Sequence, residues 1–139
     1  MTTTCFAALA AAAATLCASA AAEPLTVTID GVEARGGTLY VSVQTEAEYM
    51  QPTGTEGSVT KEPDAGTLTY TYDVPPGDYA VTVWHDDDGN GQFDYGAGGM
   101  PADGWALSGE VMGPPRFEDA KVTVDAGGAE VAVSMTYGR

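Results

Sequence analysis

Residues 68–84 read LTYTYDVPPGDYAVTVW, and this stretch decides the fold. Apolar and polar side chains alternate on both sides of the Pro-Pro-Gly-Asp sequence at 75–78. Alternation with a period of two is typical of strands that bury one face, and proline, glycine and aspartate are typical turn residues. The stretch therefore predicts two consecutive, half-buried β-strands.

The same alternation recurs elsewhere, and no long helical stripe interrupts it. The further segments are 25–29, 39–43, 122–124 and 131–135, with a short edge strand at 58–61. Strands with one apolar face indicate antiparallel pairing with a single buried side, and two such sheets must stack to hide those faces. We therefore predict an all-β, antiparallel β-sandwich of six to seven strands.

The N-terminal residues differ in composition from the rest. The run 5–22 is uncharged, rich in alanine and ends in Ala20-Ala21-Ala22, which fits a secretory signal peptide at 1–22. Its apolar part is too short for a convincing membrane span, although an N-terminal anchor is the alternative. Both cysteines, Cys5 and Cys17, lie inside it. We predict a single exported domain at 23–139, periplasmic or secreted, without thiols or a membrane span.

Charge narrows the set of partners. The chain has 20 acidic and 5 basic residues, and its formal net charge is -15. Such a surface repels phosphate backbones and anionic membranes, so nucleic acid is excluded as a partner. It attracts divalent cations.

The sharpest chemical signal is the loop DDDGNGQFD at 86–94, directly after the strand that ends near Trp84. Oxygen-bearing residues recur at alternate positions with a glycine at the sixth, as in calcium-binding loops. The candidate ligands are Asp86, Asp88, Asn90, the backbone carbonyl of Gln92, and Asp94. We expect Phe93 to point inward and hold the loop to the core. A plain Asx-rich turn, with Asn90-Gly91 at a hairpin tip, is the alternative.

This loop is not an EF-hand. Position 12 holds Ala97 instead of a bidentate glutamate, and the flanking segments are strands. Asp103 is the nearest further carboxylate in the sequence. Fewer strong ligands predict weak calcium binding, with a dissociation constant of about 10⁻⁴–10⁻³ M.

The sequence offers little for catalysis. His85 is the only histidine, and strand parity turns it inward, where we expect it to bond a loop carbonyl. One histidine without cysteines cannot build the usual zinc site, and no G-x-S-x-G turn is present. We therefore predict a protein that is not an enzyme; a hydrolase that uses His85 or a carboxylate pair is the least favoured alternative.

The segment 95–118 lacks periodicity, yet it contains Trp105, Met100 and Phe117. Disordered segments avoid such residues, so we expect a long ordered loop. Long loops in compact domains are usually functional when they are ordered. A carbohydrate- or peptide-binding module that uses Trp105 and Tyr95 is the second functional hypothesis.

The order of several short motifs resembles a known family. The motifs are VPPGDYAV at 74–81, His85-Asp86, Asn90-Gly91, GMP at 99–101 and GPPRFEDA at 113–120. This order resembles that of the bacterial family DUF2141. The resemblance covers about residues 25–137 and implies an exported domain with an immunoglobulin-like or transthyretin-like fold, without an established ligand. About twenty residues around the aspartate loop are also similar to calcium-binding repeat modules of bacterial adhesins. The first hypothesis is an exported, non-enzymatic β-sandwich whose calcium loop serves stability or envelope assembly, with an envelope protein or a glycan as partner.

Overall fold

The structure of the protein, a computed structural model, describes residues 20–138. The predicted signal peptide at 1–22 lies outside the described residues except for 20–22, which are exposed and precede the first strand. Export therefore stays a prediction. Within residues 20–138, no helix has the length and apolar character needed to cross a membrane.

The described part of the chain is almost entirely β-structure. The strands are β1 (Glu23–Val32), β2 (Thr38–Gln44), β3 (Glu56–Lys61), β4 (Gly66–Val74), β5 (Gly77–Asp86), β6 (Gly104–Leu107), β7 (Val122–Val124) and β8 (Ala129–Ser134). A 3₁₀ turn at Ala97–Gly99 and a single helical turn, α1 (Phe117–Ala120), complete it.

The strands form two sheets, which confirms the predicted β-sandwich. One sheet has the order β4-β1-β8, and the other has the order β3-β2-β5-β6, with β7 beside the opposite end of β5. Apolar side chains from both sheets form one buried cluster, which includes Leu25, Ile29, Leu39, Val81 and Val133. At one edge the tyrosines of β4 bond residues of β3: Tyr72 donates to Ser58 at 2.9 Å, and Tyr70 lies 2.7 Å from Thr60.

Two details of the prediction were wrong. The described residues contain eight strands, because β6 has only four residues and shows too little alternation to be recognised. The pairing is also not antiparallel throughout, since β8 runs parallel to β1. Alternation within a strand reveals which face is buried but not the direction of its neighbour, and the turn at 125–128 brings β8 beside β1 in the same direction.

The segment 95–118 contains regular structure and buried anchors. β6 pairs with β5, and Trp105 exchanges backbone hydrogen bonds with Thr136 at 2.8–2.9 Å. The fully buried Ser108 accepts a hydrogen bond from the backbone N–H of Val81 at 2.8 Å and donates one to the carbonyl of Ala120 at 2.5 Å. These bonds fix the middle of the segment to the sandwich.

Candidate functional site

Asp86 shapes the aspartate loop from the end of β5. Its side chain is only 2% exposed. One carboxylate oxygen accepts the backbone N–H of Asn90 at 3.1 Å, and the other accepts that of Gly91 at 2.9 Å. The chain turns back on this carboxylate because Gly91 adopts a φ of 74°, which glycine tolerates best. Each oxygen keeps a lone pair for a further partner.

Three carboxylates converge beside this turn. Oxygens of Asp86, Asp88 and Asp103 all lie within 4.8 Å of one another. Asp87 points away from them and pairs with Arg35 at 3.1 Å. Of the predicted ligands in the loop, Asp86 and Asp88 belong to this group and Asp94 does not; the third carboxylate, Asp103, comes from outside the loop.

Asp103 reaches the cluster from the start of β6, where Gly104 pairs with His85 of β5. It is 2% exposed. One of its oxygens accepts the indole N–H of Trp84 at 2.8 Å and the backbone N–H of Asp94 at 3.1 Å. These bonds hold the carboxylate in place and tie both ends of the aspartate loop to it.

Two further predicted ligands, Asn90 and Asp94, are hydrogen-bonded to members of this triad through their backbone N–H groups. The side-chain amide of Asn90 donates to Asp88 and to Asp94, and its oxygen accepts the backbone N–H of Gln92 at 2.7 Å. The carbonyl of Asp94 accepts the N–H of Ala102 at 2.8 Å. In this arrangement the amide of Asn90 bridges two carboxylates as a donor.

Electrostatic crowding is evident at Asp88. The backbone N–H of Asn90 lowers the pKa of Asp88, but desolvation and the nearby carboxylates of Asp86 and Asp94 act against it, and the pKa lies above its ordinary 3.8. A cation among these groups would reverse the like-charge part of that shift.

His85 has the structural role expected from its parity. It is fully buried. Its Nε2 lies 2.7 Å from the carbonyl of Gly36, and its Nδ1 lies 2.9 Å from the hydroxyl of Tyr137. A carbonyl only accepts, so Nε2 carries the proton, and the Tyr137 hydroxyl, which accepts the N–H of Glu33, can donate to Nδ1. Both ring nitrogens are therefore engaged in holding the loop between β1 and β2.

Trp105 and Tyr95, the predicted ligand-binding residues, line one open groove. The groove covers the outer face of the β3-β2-β5-β6 sheet and has a volume of about 1180 Å³. Cross-strand pairing places Tyr40, Trp84 and Trp105 in one row across the sheet, and the rings of Tyr40 and Trp84 stack at 4.8 Å. We call this surface the aromatic groove; its lining includes Tyr40, Met50, Val59, Trp84, Phe93, Tyr95, Met100 and Trp105.

Phe93 belongs to this groove and not to the core, so the expectation that it points inward was wrong. Its ring lies 6.2 Å from that of Trp84 and 5.2 Å from that of Tyr95. Trp84 stands on the outer face, and Phe93 covers it from outside. The aspartate loop is therefore held to the sheet on its solvent side.

A family comparison covers most of the chain. The model of the family described as "Uncharacterized protein conserved in bacteria (DUF2141)" matches residues 27–132. The chain belongs to the DUF2141 family. This confirms the family resemblance read from the motif order. No curated protein and no solved structure matches the chain significantly.

Two residues of this DUF2141 domain were missed as members of the site. Gln44 is buried at the end of β2 and fixes one wall of the aromatic groove: its amide donates to the carbonyls of Gln51 at 2.8 Å and Thr53 at 3.0 Å. Tyr40 lies opposite Trp84. Strand parity could have identified Tyr40, because a large aromatic residue at an outward position indicates a covered or ligand-binding face. A glutamine at a strand end, such as Gln44, gives no such signal.

Proposed function

We propose that the loop at 86–94 binds calcium, and that this DUF2141 domain is an exported, non-enzymatic β-sandwich that the ion stabilises. The observation that carries the proposal is the convergence of Asp86, Asp88 and Asp103 within 4.8 Å. Hard divalent cations prefer carboxylate and carbonyl oxygens. Two of these carboxylates are buried yet lack a basic partner among the described ion pairs, so a cation would supply the missing positive charge.

The expected effect on stability is modest. With a dissociation constant of about 0.1 mM, about 1 mM calcium stabilises the folded state by about 1.4 kcal/mol. This is a useful share of a total of about 5–15 kcal/mol. It would act where calcium is abundant, which agrees with the export predicted from residues 1–22, and a calcium-stiffened domain suits assembly in a periplasmic or secreted envelope structure.

The proposal that the protein is not an enzyme rests on His85. A general base must reach the proton it removes. His85 is fully buried, and both ring nitrogens already have partners at 2.7 and 2.9 Å. The only histidine of the chain is thus committed to fixing a loop.

Thermal unfolding of the purified domain tests the calcium proposal. We expect the melting temperature to rise with calcium and to fall back with EGTA. Asp86→Asn and Asp88→Asn should abolish the response. Asp64→Asn provides the matched control, because Asp64 is exposed and distant from the triad in sequence. An unchanged melting temperature over millimolar calcium, or an equal response in Asp86→Asn, would refute the proposal.

A second function, the binding of a carbohydrate or peptide, is favoured by the aromatic groove. Trp105 lies in the row of aromatic side chains, and Tyr95 is 67% exposed at the rim. Ligand sites are concave and mostly apolar, with a few placed polar groups. Quenching of tryptophan fluorescence by a glycan or peptide, and its loss in Trp105→Ala, would support this function, and no response to either class would refute it.

A further inference from the structure

We propose that the aromatic groove binds an extended peptide segment that combines apolar and basic side chains. The proposal rests on the second proposed function, ligand binding by this groove, and it names the ligand class. It does not depend on calcium binding by the aspartate loop. The partner is thus a protein or peptide and not a glycan or a second copy of the chain.

The exposed apolar side chains of the domain are concentrated in this groove. Five of the six large hydrophobic residues that are exposed in residues 20–138 line it: Met50, Val59, Phe93, Tyr95 and Met100. A patch of this kind marks an interaction site. Aromatic residues and methionine are enriched at protein interfaces, and flexible methionines adapt to varied apolar side chains. Thioethers offer little to the hydroxyl groups of a sugar, so the two methionines favour a peptide.

The charges favour a basic partner. Only one charged side chain, that of Glu56, lines the groove, and no lysine or arginine does. The surrounding molecule has a net charge of -15, and its field attracts cations and repels anions. A second copy of the chain would bring the same negative charge, so self-association through this face is disfavoured. A peptide segment with apolar side chains and lysine or arginine fits both the largely uncharged lining of the groove and the negative charge of the rest of the domain.

Buried polar residues fix both walls of the groove before any ligand arrives. Gln44 holds residues 50–53 on one side, where Met50 adopts a φ of 60° that is uncommon for a residue with a side chain. Asp103 holds Trp84 and Asp94 on the other side. Strained, over-determined loops cluster at ligand sites. The volume of about 1180 Å³ exceeds the range of about 300–1,000 Å³ for small-molecule pockets, as a groove for a chain segment should.

Titration calorimetry with three synthetic peptides tests the proposal. One alternates leucine and lysine, one alternates serine and lysine, and one alternates leucine and glutamate. We expect saturable binding of the leucine–lysine peptide alone. Tyr95→Ser and Met100→Ser should each weaken it about tenfold, the loss expected when an interface anchor is truncated. Met112→Ser is the matched control, because Met112 is 92% exposed but does not line the groove.

Each other outcome overturns the proposal. Equal binding of the serine–lysine peptide would show a charge effect without a groove. Saturable binding of soluble cellulose or chitin oligosaccharides without peptide binding would assign the groove to glycans. Concentration-dependent dimers that Tyr95→Ser abolishes would assign it to a second copy. The titrations are run with calcium and with EGTA, so a failure here is separate from the melting response that tests the calcium site.

Discussion

Replacing Gln44 by leucine should destabilise the domain because Gln44 is the main support of the groove wall at 50–53. Its amide donates to the carbonyls of Gln51 at 2.8 Å and Thr53 at 3.0 Å, and its oxygen accepts longer bonds of 3.3 Å from the N–H of Met50 and the hydroxyl of Thr82. At about 0.5–1.5 kcal/mol for each of the four bonds, the loss is about 2–6 kcal/mol. Release of the strained Met50 returns about 1 kcal/mol, which leaves about 1–5 kcal/mol.

The loss can be measured by thermal unfolding followed by circular dichroism. For a domain of this size, 1 kcal/mol corresponds to about 4 °C, so Gln44→Leu should lower the melting temperature by about 4–20 °C. Gln51→Leu is the matched control, since the side chain of Gln51 is exposed and only its backbone carbonyl is used. A decrease of less than about 3 °C in Gln44→Leu would show that the wall at 50–53 does not depend on this side chain and that Gln44 does not preform the groove.

Three further predictions concern the carboxylate triad and the strand junction beside it. Because the pKa of Asp88 is raised in the folded state, the protonated side chain favours folding; this contribution is present below pH 3.8 and is lost as the pH rises through the folded pKa. At neutral pH the charged carboxylate therefore destabilises the calcium-free protein. Asp88→Asn should raise the melting temperature at neutral pH and leave it unchanged below pH 3.8, in unfolding scans with EGTA. Asp103→Ala should abolish the calcium response and also shift tryptophan emission to longer wavelength, since it removes the acceptor of the Trp84 indole N–H. Asp86→Asn should abolish only the calcium response, and identical spectra for the two variants would contradict the coupling. Gly104→Ala should cost about 1–3 kcal/mol in urea unfolding, because its added Cβ would lie 2.3 Å from the ring of Tyr137, which is itself hydrogen-bonded; an unchanged midpoint would contradict this packing.

The β-sandwich could be predicted from the sequence because its strands bury one face in the core and leave the other in solvent, which produces the alternation of apolar and polar residues. The stretch 68–84 shows the alternation and contains β4 and β5, although their partners, β1 and β2 in two different sheets, did not follow from it. The parallel contact of β1 with β8 was not readable, since it depends on where the chain crosses between sheets. β6 was missed because its four residues do not establish a period.

The candidate site was partly readable for a similar reason. Spacing within one loop fixes which side chains share a face, so Asp86 and Asp88 were predicted from local sequence. Asp103 was only the nearest further carboxylate, and its place beside Trp84 is set by the pairing of β5 with β6. The role of Gln44 is a contact between a strand end and a loop seven to nine residues away, which no local pattern encodes.

Terbium luminescence tests the central claim most directly. Terbium replaces calcium at oxygen sites and emits when an excited indole lies close by, and Trp84 bonds the same carboxylate, Asp103, that belongs to the triad. We predict emission on tryptophan excitation that calcium displaces, that falls in Trp84→Phe and that disappears in Asp86→Asn. Absence of sensitised emission, or emission that persists in Asp86→Asn, would contradict the account of the aspartate loop as a cation site.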